Sequence, residues 1–286
     1  METRYRQSET ETFSVCPRKR QLQYLEGWTL KHQTNAGHAA MRGTALAAGC
    51  AEVHMSAQLG HQPGVDSAVV ACLSNLRAAV AAFRGAGGVC EDFEEVPLIK
   101  ALTFYYTWFH TQPWEVLAVE QPIPTWGNSR PDLVARIGGK LVVVDNKWKW
   151  SLYIKPGETK DQARNRTLLE YEHAWQFRHY LSAVSDVYRE PCDTYCIVLG
   201  EVTPKPVVTV QPFTVSDREL DRWLYGARYY WGDMAYLDQE TLMLNHPGAA
   251  IHESKYGPCE FQWACFDSNL DREKMTDMYV LIERSL

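Results

Sequence analysis

Arg130-Pro131-Asp132-Leu133-Val134-Ala135-Arg136-Ile137, then Gly138-Gly139, then Lys140-Leu141-Val142-Val143-Val144-Asp145-Asn146-Lys147: two apolar runs separated by a glycine pair read as a tight antiparallel hairpin. Two-residue hairpin turns need positive φ at both central positions, and glycine adopts it without steric cost. With the turn at Gly138-Gly139, Ile137 faces Lys140, and each step outward pairs one more residue from each strand. Asp132 then falls directly opposite Asp145, where cross-strand Cβ atoms lie roughly 4.5–5.5 Å apart.

Two carboxylates held that close repel unless a positive charge stands between them. A divalent cation with oxygen ligands answers that need. Magnesium suits a carboxylate pair that leaves room for waters and a substrate phosphate. Side chains alternate along a strand, so Lys147 shares the face of Asp145 while Asn146 points away. Two acids and one amine on one face suit phosphodiester hydrolysis, in which a metal polarises the phosphate and a lysine positions the attacking water or steadies developing charge. An isolated Asp-x-Lys is usually an ordinary polar strand end; the apolar run before it and the opposing Asp132 set this one apart. Glu120 closes the preceding run, Trp114 to Glu120, and is a third acid placed to join the metal shell.

Outward from the hairpin, helical patterns precede and strand patterns surround it. Helices are expected over Phe13–Glu26, Ala36–Leu59, Asp66–Arg84 and Pro97–His110, the third stopped by Gly85-Ala86-Gly87-Gly88. Strands are expected at Glu115–Glu120, Asp132–Ile137, Lys140–Asp145, Thr194–Leu199 and Val207–Phe213. Further helices are expected at Leu168–Val187, Ser216–Leu237 and Arg272–Leu286, with an irregular stretch around Asn245–Phe266. The picture is an α/β domain, a small sheet flanked by helices. It reads as a single domain over 1–286, with a helical N-terminal region at 1–112, a catalytic core at 113–215 and C-terminal helices with a candidate metal-binding loop at 216–286.

The 286 residues, 45% hydrophobic and 22% charged, suit one large globular unit. A net charge of -6 argues against a generally basic nucleic-acid coat, though a local basic groove can coexist with an acidic body. No segment reads as long and apolar enough to span a bilayer, and Met1–Thr12 lacks a signal-peptide core. A cytoplasmic protein without a membrane partner is therefore expected. Its eight cysteines are then expected as buried apolar residues or metal ligands rather than disulfides. Trp148, Lys149 and Trp150 follow the lysine of the hairpin, with Lys155, Lys160, Arg164 and Arg166 soon after. Basic residues interleaved with aromatics suit DNA, as does Arg18-Lys19-Arg20. Arg18, Trp148, Lys149 and Arg164 are the expected DNA contacts.

Pro131-Asp132 with Asp145-Asn146-Lys147 resembles the signature of the PD-(D/E)XK nuclease superfamily, and the flanking motifs resemble its RecB-like and phage exonuclease branch. Glu120 matches that branch's upstream acid, Gln176 and Tyr180 its Gln-x-x-x-Tyr, and Cys16-Pro17-Arg18-Lys19-Arg20 with Tyr24 its opening helix. The resemblance implies a restriction-endonuclease-like core around a mixed sheet. It implies Mg2+ or Mn2+ as cofactor, DNA as substrate, and catalytic roles for Asp132, Asp145, Lys147, Glu120, Gln176 and Tyr180, the first two and Glu120 binding metal. It further suggests a phage-encoded exonuclease or end-processing enzyme of recombination or repair in a bacterial cytoplasm, and admits a recombination partner protein. A restriction-type endonuclease would use the same acids, but the RecB-like flanking motifs argue against it.

Two departures accompany the match. Some relatives bind a 4Fe-4S cluster through one N-terminal and three C-terminal cysteines; here Cys16, Cys259 and Cys265 match three positions, and His252 stands near the fourth. That set admits an iron–sulfur cluster, a zinc ion, or no metal, in which case the same elements pack the chain ends together. Second, Gly43-Thr44-Ala45-Leu46-Ala47 carries alanine where RecB-like nucleases often carry a metal-binding histidine. His38, Glu52 and His54 lie nearby, though a lone helix histidine is usually structural. The competing function is accordingly a catalytically impaired nuclease-fold protein that binds DNA or a protein partner.

Overall fold

In the computed structural model, residues 5–31, 35–60, 64–240, 253–254, 257–258, 261, 275–276 and 279–281 are described. The N-terminal part comprises α1 (Gln7–Val15), α2 (Pro17–Arg20), a π turn (Gln21–Leu25), β1 (Trp28–Leu30), α3 (Asn35–Gln58), α4 (Val65–Gly85) and α5 (Val96–Phe109). The core follows with β2 (Glu115–Val119), β3 (Leu133–Ile137), β4 (Lys140–Lys149), α6 (Lys160–Leu169), α7 (Trp175–Tyr188), β5 (Thr194–Glu201) and β6 (Val207–Thr214). Beyond it lie α8 (Asp217–Glu240), the short strands β7 (Glu253–Ser254) and β8 (Gly257–Pro258), and β9 (Tyr279–Leu281).

The central sheet is mixed, in the order β2-β3-β4-β5-β6. The hairpin register is the one the glycine pair dictates: Ile137 faces Lys140 and Leu133 faces Val144, with φ of 58° and 80° at Gly138 and Gly139. β4 and β5 run parallel, so the connection between them must cross over one face of the sheet, and α6 and α7 provide it. Alternation along the strands divides the interior in two. Val134, Leu141, Val143, Tyr195, Ile197 and Leu199 pack toward α7 and α8. Leu133, Ala135, Val142, Val144 and Val198 pack toward α3, α4 and α5. Both faces are covered, which is why β4 reads as a continuous valine run rather than an alternating one.

Several boundaries differ from the sequence expectation, each for a local reason. The helix expected over Phe13–Glu26 is interrupted at Cys16, whose φ of -155° and ψ of 104° are extended. Proline at 17 disfavours the helical region for the residue before it. The helix expected over Leu168–Val187 is two helices, α6 and α7, and α6 begins at a capping box formed by Thr159 and Gln162. The C-terminal helix expected over Arg272–Leu286 is not helical at 279–281, where β9 pairs with β1, Tyr279 opposite Leu30. That pairing closes a small cluster of Leu22, Trp28, Phe261, Met275 and Tyr279, which joins the two ends of the chain. Arg20 adds a second tie at the N-terminus: it is buried and reaches Glu9 at 2.6 Å and Asp238 at 2.5 Å.

The 21-residue α4 is, by length and composition, apolar enough to cross a bilayer, contrary to the expectation that no segment is. It buries Ala68, Cys72, Leu76 and Phe83 along one side, against α3 and α5.

Gly200 on β5 stands opposite Trp148 on β4, and a Cβ there would overlap the Trp148 ring. Gly200→Ala is expected to destabilise the protein by about 1–3 kcal/mol through overpacking. The measurement is the urea midpoint; an unchanged midpoint would contradict this packing.

Candidate active site

Three adjacent strands bring the acids of the hairpin reading together. Glu120, just past β2, donates its backbone N–H to the carbonyl of Asp132 at 3.2 Å. Asp132, just before β3, uses its own Oδ2 to accept the backbone N–H of Asn146 at 2.8 Å. Asp145 lies within β4 and is buried. Glu120 has a φ of 46°, a left-handed conformation that is uncommon for residues other than glycine and that turns the chain at the end of the ladder.

Burial, and then the charge of Asp145, holds the Asp132 carboxyl well above the usual carboxylate range. Burial likewise raises Asp145, against the opposing pull of Lys147. Glu120 is also raised, first by burial, with Arg130 lowering it and Asp145 adding to the rise. For Lys147 burial works against the charged form, but the carboxylates of Asp145 and Asp132 outweigh it and the pKa is raised. Its Nζ lies 2.7 Å from Asp145 Oδ2.

From the start of α7, Gln176 completes the arrangement. Its Nε2 donates to Asp145 Oδ1 at 2.9 Å and to the Tyr180 hydroxyl at 3.3 Å. Its Oε1 accepts from Lys147 Nζ at 3.4 Å. Asp145, Lys147, Gln176 and Tyr180 are therefore one connected polar group, with Asp132 beside it. The i, i+4 spacing on α7 is what puts Gln176 and Tyr180 on the same side.

Three of the four expected DNA contacts have internal roles instead. Arg18 is buried, donating to Gln21 at 2.7 Å and lying 3.6 Å from Glu26. Arg164 is committed to Glu201 and Asp161, both at 2.6 Å. Trp148 packs into the core against Tyr105. Lys149, the last residue of β4, is partly exposed. Of the cysteine and histidine set, Cys16 is buried and its Sγ accepts the Lys19 N–H at 3.3 Å as the cap of α2; His252, Cys259 and Cys265 lie outside the described residues.

Two features escaped the sequence reading. Glu201, buried at the end of β5, is held by Lys160 at 2.8 Å and by Arg164; both cations come from α6, which the periodicity did not disclose. The other is a chain of hydrogen bonds from His54 through Tyr105 to Asn146. Its one visible signal was a polar residue inside the alanine-rich α3.

The PD-(D/E)XK nuclease superfamily matches residues 6–266 of this sequence. The chain belongs to that superfamily. No curated protein matches it in sequence. Among solved structures, a protein from Eubacterium rectale provisionally named an exonuclease matches with 13% identity and a TM-score of 0.42, covering 95% of this chain and 90% of that one. Members of the superfamily are generally nucleases, and they typically use divalent metals such as Mg2+.

The residues here fit such an ion. A buried Asp145 beside a half-buried Asp132 whose ionisation it opposes is a pair of oxygen donors that a cation would relieve. Hard oxygen donors are also what Mg2+ and Mn2+ prefer. Among the described residues no three His, Cys, Asp or Glu side chains are gathered closely enough to hold a metal. The residues that would hold an ion are Asp132 and Asp145, with Glu120 next to them just past the neighbouring strand.

The pair also sets a pH dependence of stability. Carboxyls whose folded pKa lies above the unfolded value favour the fold most when protonated, below about pH 4. That contribution is lost as pH rises through the raised folded values. Asp132→Asn removes one of the two competing charges and keeps an acceptor for the Asn146 N–H. In EDTA it is expected to be more stable than wild type at pH 8, by about 1 kcal/mol or more, roughly 2–4 °C in Tm. The gap should narrow toward pH 4. A variant less stable than wild type at pH 8, read by thermal melts, would contradict this.

Proposed function

We propose that this chain is a Mg2+- or Mn2+-dependent deoxyribonuclease of the RecB-like branch. In this reading it is an exonuclease or end-processing enzyme of recombination or repair, phage-encoded and acting on DNA in a bacterial cytoplasm. The observation that carries the reading is the buried Asp145 beside Asp132, with Lys147 and Gln176 bonded to Asp145.

Asp132 and Asp145 would hold the cation, with Glu120 as the adjacent acid. When bound, a divalent cation at such a site polarises a phosphodiester and lowers the pKa of a coordinated water. The protein residues supply orientation and charge. The neighbouring carboxylates keep Lys147 protonated, so it serves as a fixed cation and hydrogen-bond donor toward phosphate oxygens rather than as a base. Gln176 donates to Asp145 and accepts from Lys147 through one amide, which sets the direction of both. Tyr180, its phenol raised by burial and by Asp145, stays neutral and anchors Gln176. Lys149, at the exposed end of the same strand, is the remaining candidate for a backbone phosphate contact.

Cleavage of an end-labelled linear duplex and of a matching single strand, in Mg2+, in Mn2+ and in EDTA, tests this reading. Metal-dependent digestion is expected. Asp145→Ala or Lys147→Ala should lower the rate by about 10²-fold or more while the far-UV circular dichroism is kept. Wild-type rates in either variant would refute the site assignment. The second reading, a nuclease-fold protein that binds DNA or a protein without cutting, is favoured by Ala47. It would take over if the folded protein retards DNA on a gel but cuts neither substrate.

A further inference from the structure

Strand alternation places Asp145 and Lys147 on the α7 side of β4 and Asn146 on the side of α3 and α5. On that opposite side Asn146 is not a free polar residue. Its Oδ1 accepts the Tyr105 hydroxyl at 2.8 Å, and the same hydroxyl lies 2.7 Å from His54 Nε2. The backbone N–H of Asn146 in turn donates to Asp132 Oδ2 at 2.8 Å. His54, Tyr105 and Asn146 are all buried. A path of hydrogen bonds through Asn146 therefore runs from near the C-terminal end of α3, by way of α5, to Asp132.

The direction of this path follows from counting hydrogens. A hydroxyl has one, and Tyr105 spends it on Asn146. His54 Nε2 must then be the donor to the Tyr105 oxygen, which leaves Nδ1 bare. His54 Nδ1 is buried with no hydrogen-bond partner. Burial also lowers the His54 pKa to about 3, so the ring is neutral, as this tautomer requires. A buried acceptor without a partner costs roughly 1–3 kcal/mol. An apolar side chain would fill the same space without that cost, as the alanines and Val53 along α3 do. The feature that an apolar residue could not supply is the donor that fixes the Tyr105 proton on Asn146. Cys50, one turn before His54 on the same helix side, lies close enough to Asp132 to feel its charge, which puts α3 behind the catalytic pair.

We infer that His54, Tyr105 and Asn146 form a positioning relay that holds Asp132 and the Asp145–Lys147 segment of β4 in their cation-binding arrangement from the far side of the sheet. The inference rests on the metal-site reading of that pair. Asn146 is clamped twice, by its side chain to Tyr105 and by its N–H to Asp132. A strand so clamped cannot rotate about its own axis, and Asp145 and Lys147 stay aimed at the site. His54 thus serves the site by a route different from direct ligation, although it lies on the same helix as Ala47 and two turns after it.

The test is Mn2+ binding to the full-length protein, read from the electron paramagnetic resonance of the free ion, beside kcat and KM on a linear duplex. Tyr105→Phe keeps the ring and removes both bonds; His54→Leu removes the donor alone. Thr10→Val is the control, since Thr10 accepts from Trp231 Nε1 at 3.1 Å in a buried site elsewhere. Both relay variants should bind Mn2+ about tenfold or more weakly and lose kcat more than they raise KM. Thr10→Val should lose stability and keep its Mn2+ affinity. Unchanged Mn2+ affinity in either relay variant that folds, or an equal loss in Thr10→Val, would overturn the relay. A wild-type protein that binds no Mn2+ would instead refute the site reading, and the relay with it.

Discussion

The rest of the site depends on two aspartates, Asp145 buried and Asp132 half-buried, that stand against each other across a hairpin. Ionised and alone, they oppose folding, since burial penalises both charged forms and Asp145 adds repulsion at Asp132. The fold accommodates them with neutralising contacts drawn from several elements. Lys147 pairs with Asp145, the Gln176 amide bonds to Asp145, and the Asn146 N–H bonds to Asp132. Each contact is partial, and in the proposed function the remaining charge is what would attract a cation. Residues outside such a site would be expected to minimise this strain; here strand, helix and loop all act to preserve it.

The sheet makes that arrangement possible because its two faces do different work on the same strand. Val142 and Val144 fill the interior against α3 and α5, and Leu141 and Val143 fill the interior against α7. The alternation then continues past the apolar run, so that Asp145 and Lys147 meet α7 while Asn146 meets Tyr105. A one-residue slip would exchange the faces and bury the lysine beside His54. The Gly138-Gly139 turn prevents that slip at the other end of the hairpin, and the parallel pairing of β4 with β5 fixes the strand along its other edge.

The hairpin was legible because register, turn chemistry and alternation are local rules. Gly138-Gly139 fixes the pairing, and the pairing fixes Asp132 against Asp145. Gln176 and Tyr180 were legible through the resemblance to the Gln-x-x-x-Tyr motif, with the i, i+4 spacing placing them on one helix face. What could not be read was set by contacts distant in sequence. Nothing local to Arg164 reports that its guanidinium is occupied by Glu201, nor does Arg18 announce its burial near Gln21 and Glu26. The break at Cys16-Pro17 was visible as a proline but was outweighed by the apolar periodicity around it. The pairing of β1 with β9 joins residues some 250 positions apart, so the strand character of 279–281 follows from its partner and not from its own sequence. The His54, Tyr105 and Asn146 path spans three separate elements and has no spacing of its own.

Where a cation binds tests the Asp132 and Asp145 site most directly. Crystals soaked in Mn2+ and measured at the manganese edge would locate the ion by its anomalous scattering. An anomalous peak is expected at the Asp132 and Asp145 carboxylates, with Gln176 still on Asp145. An ordered site without a peak at saturating Mn2+ would contradict the metal-site assignment.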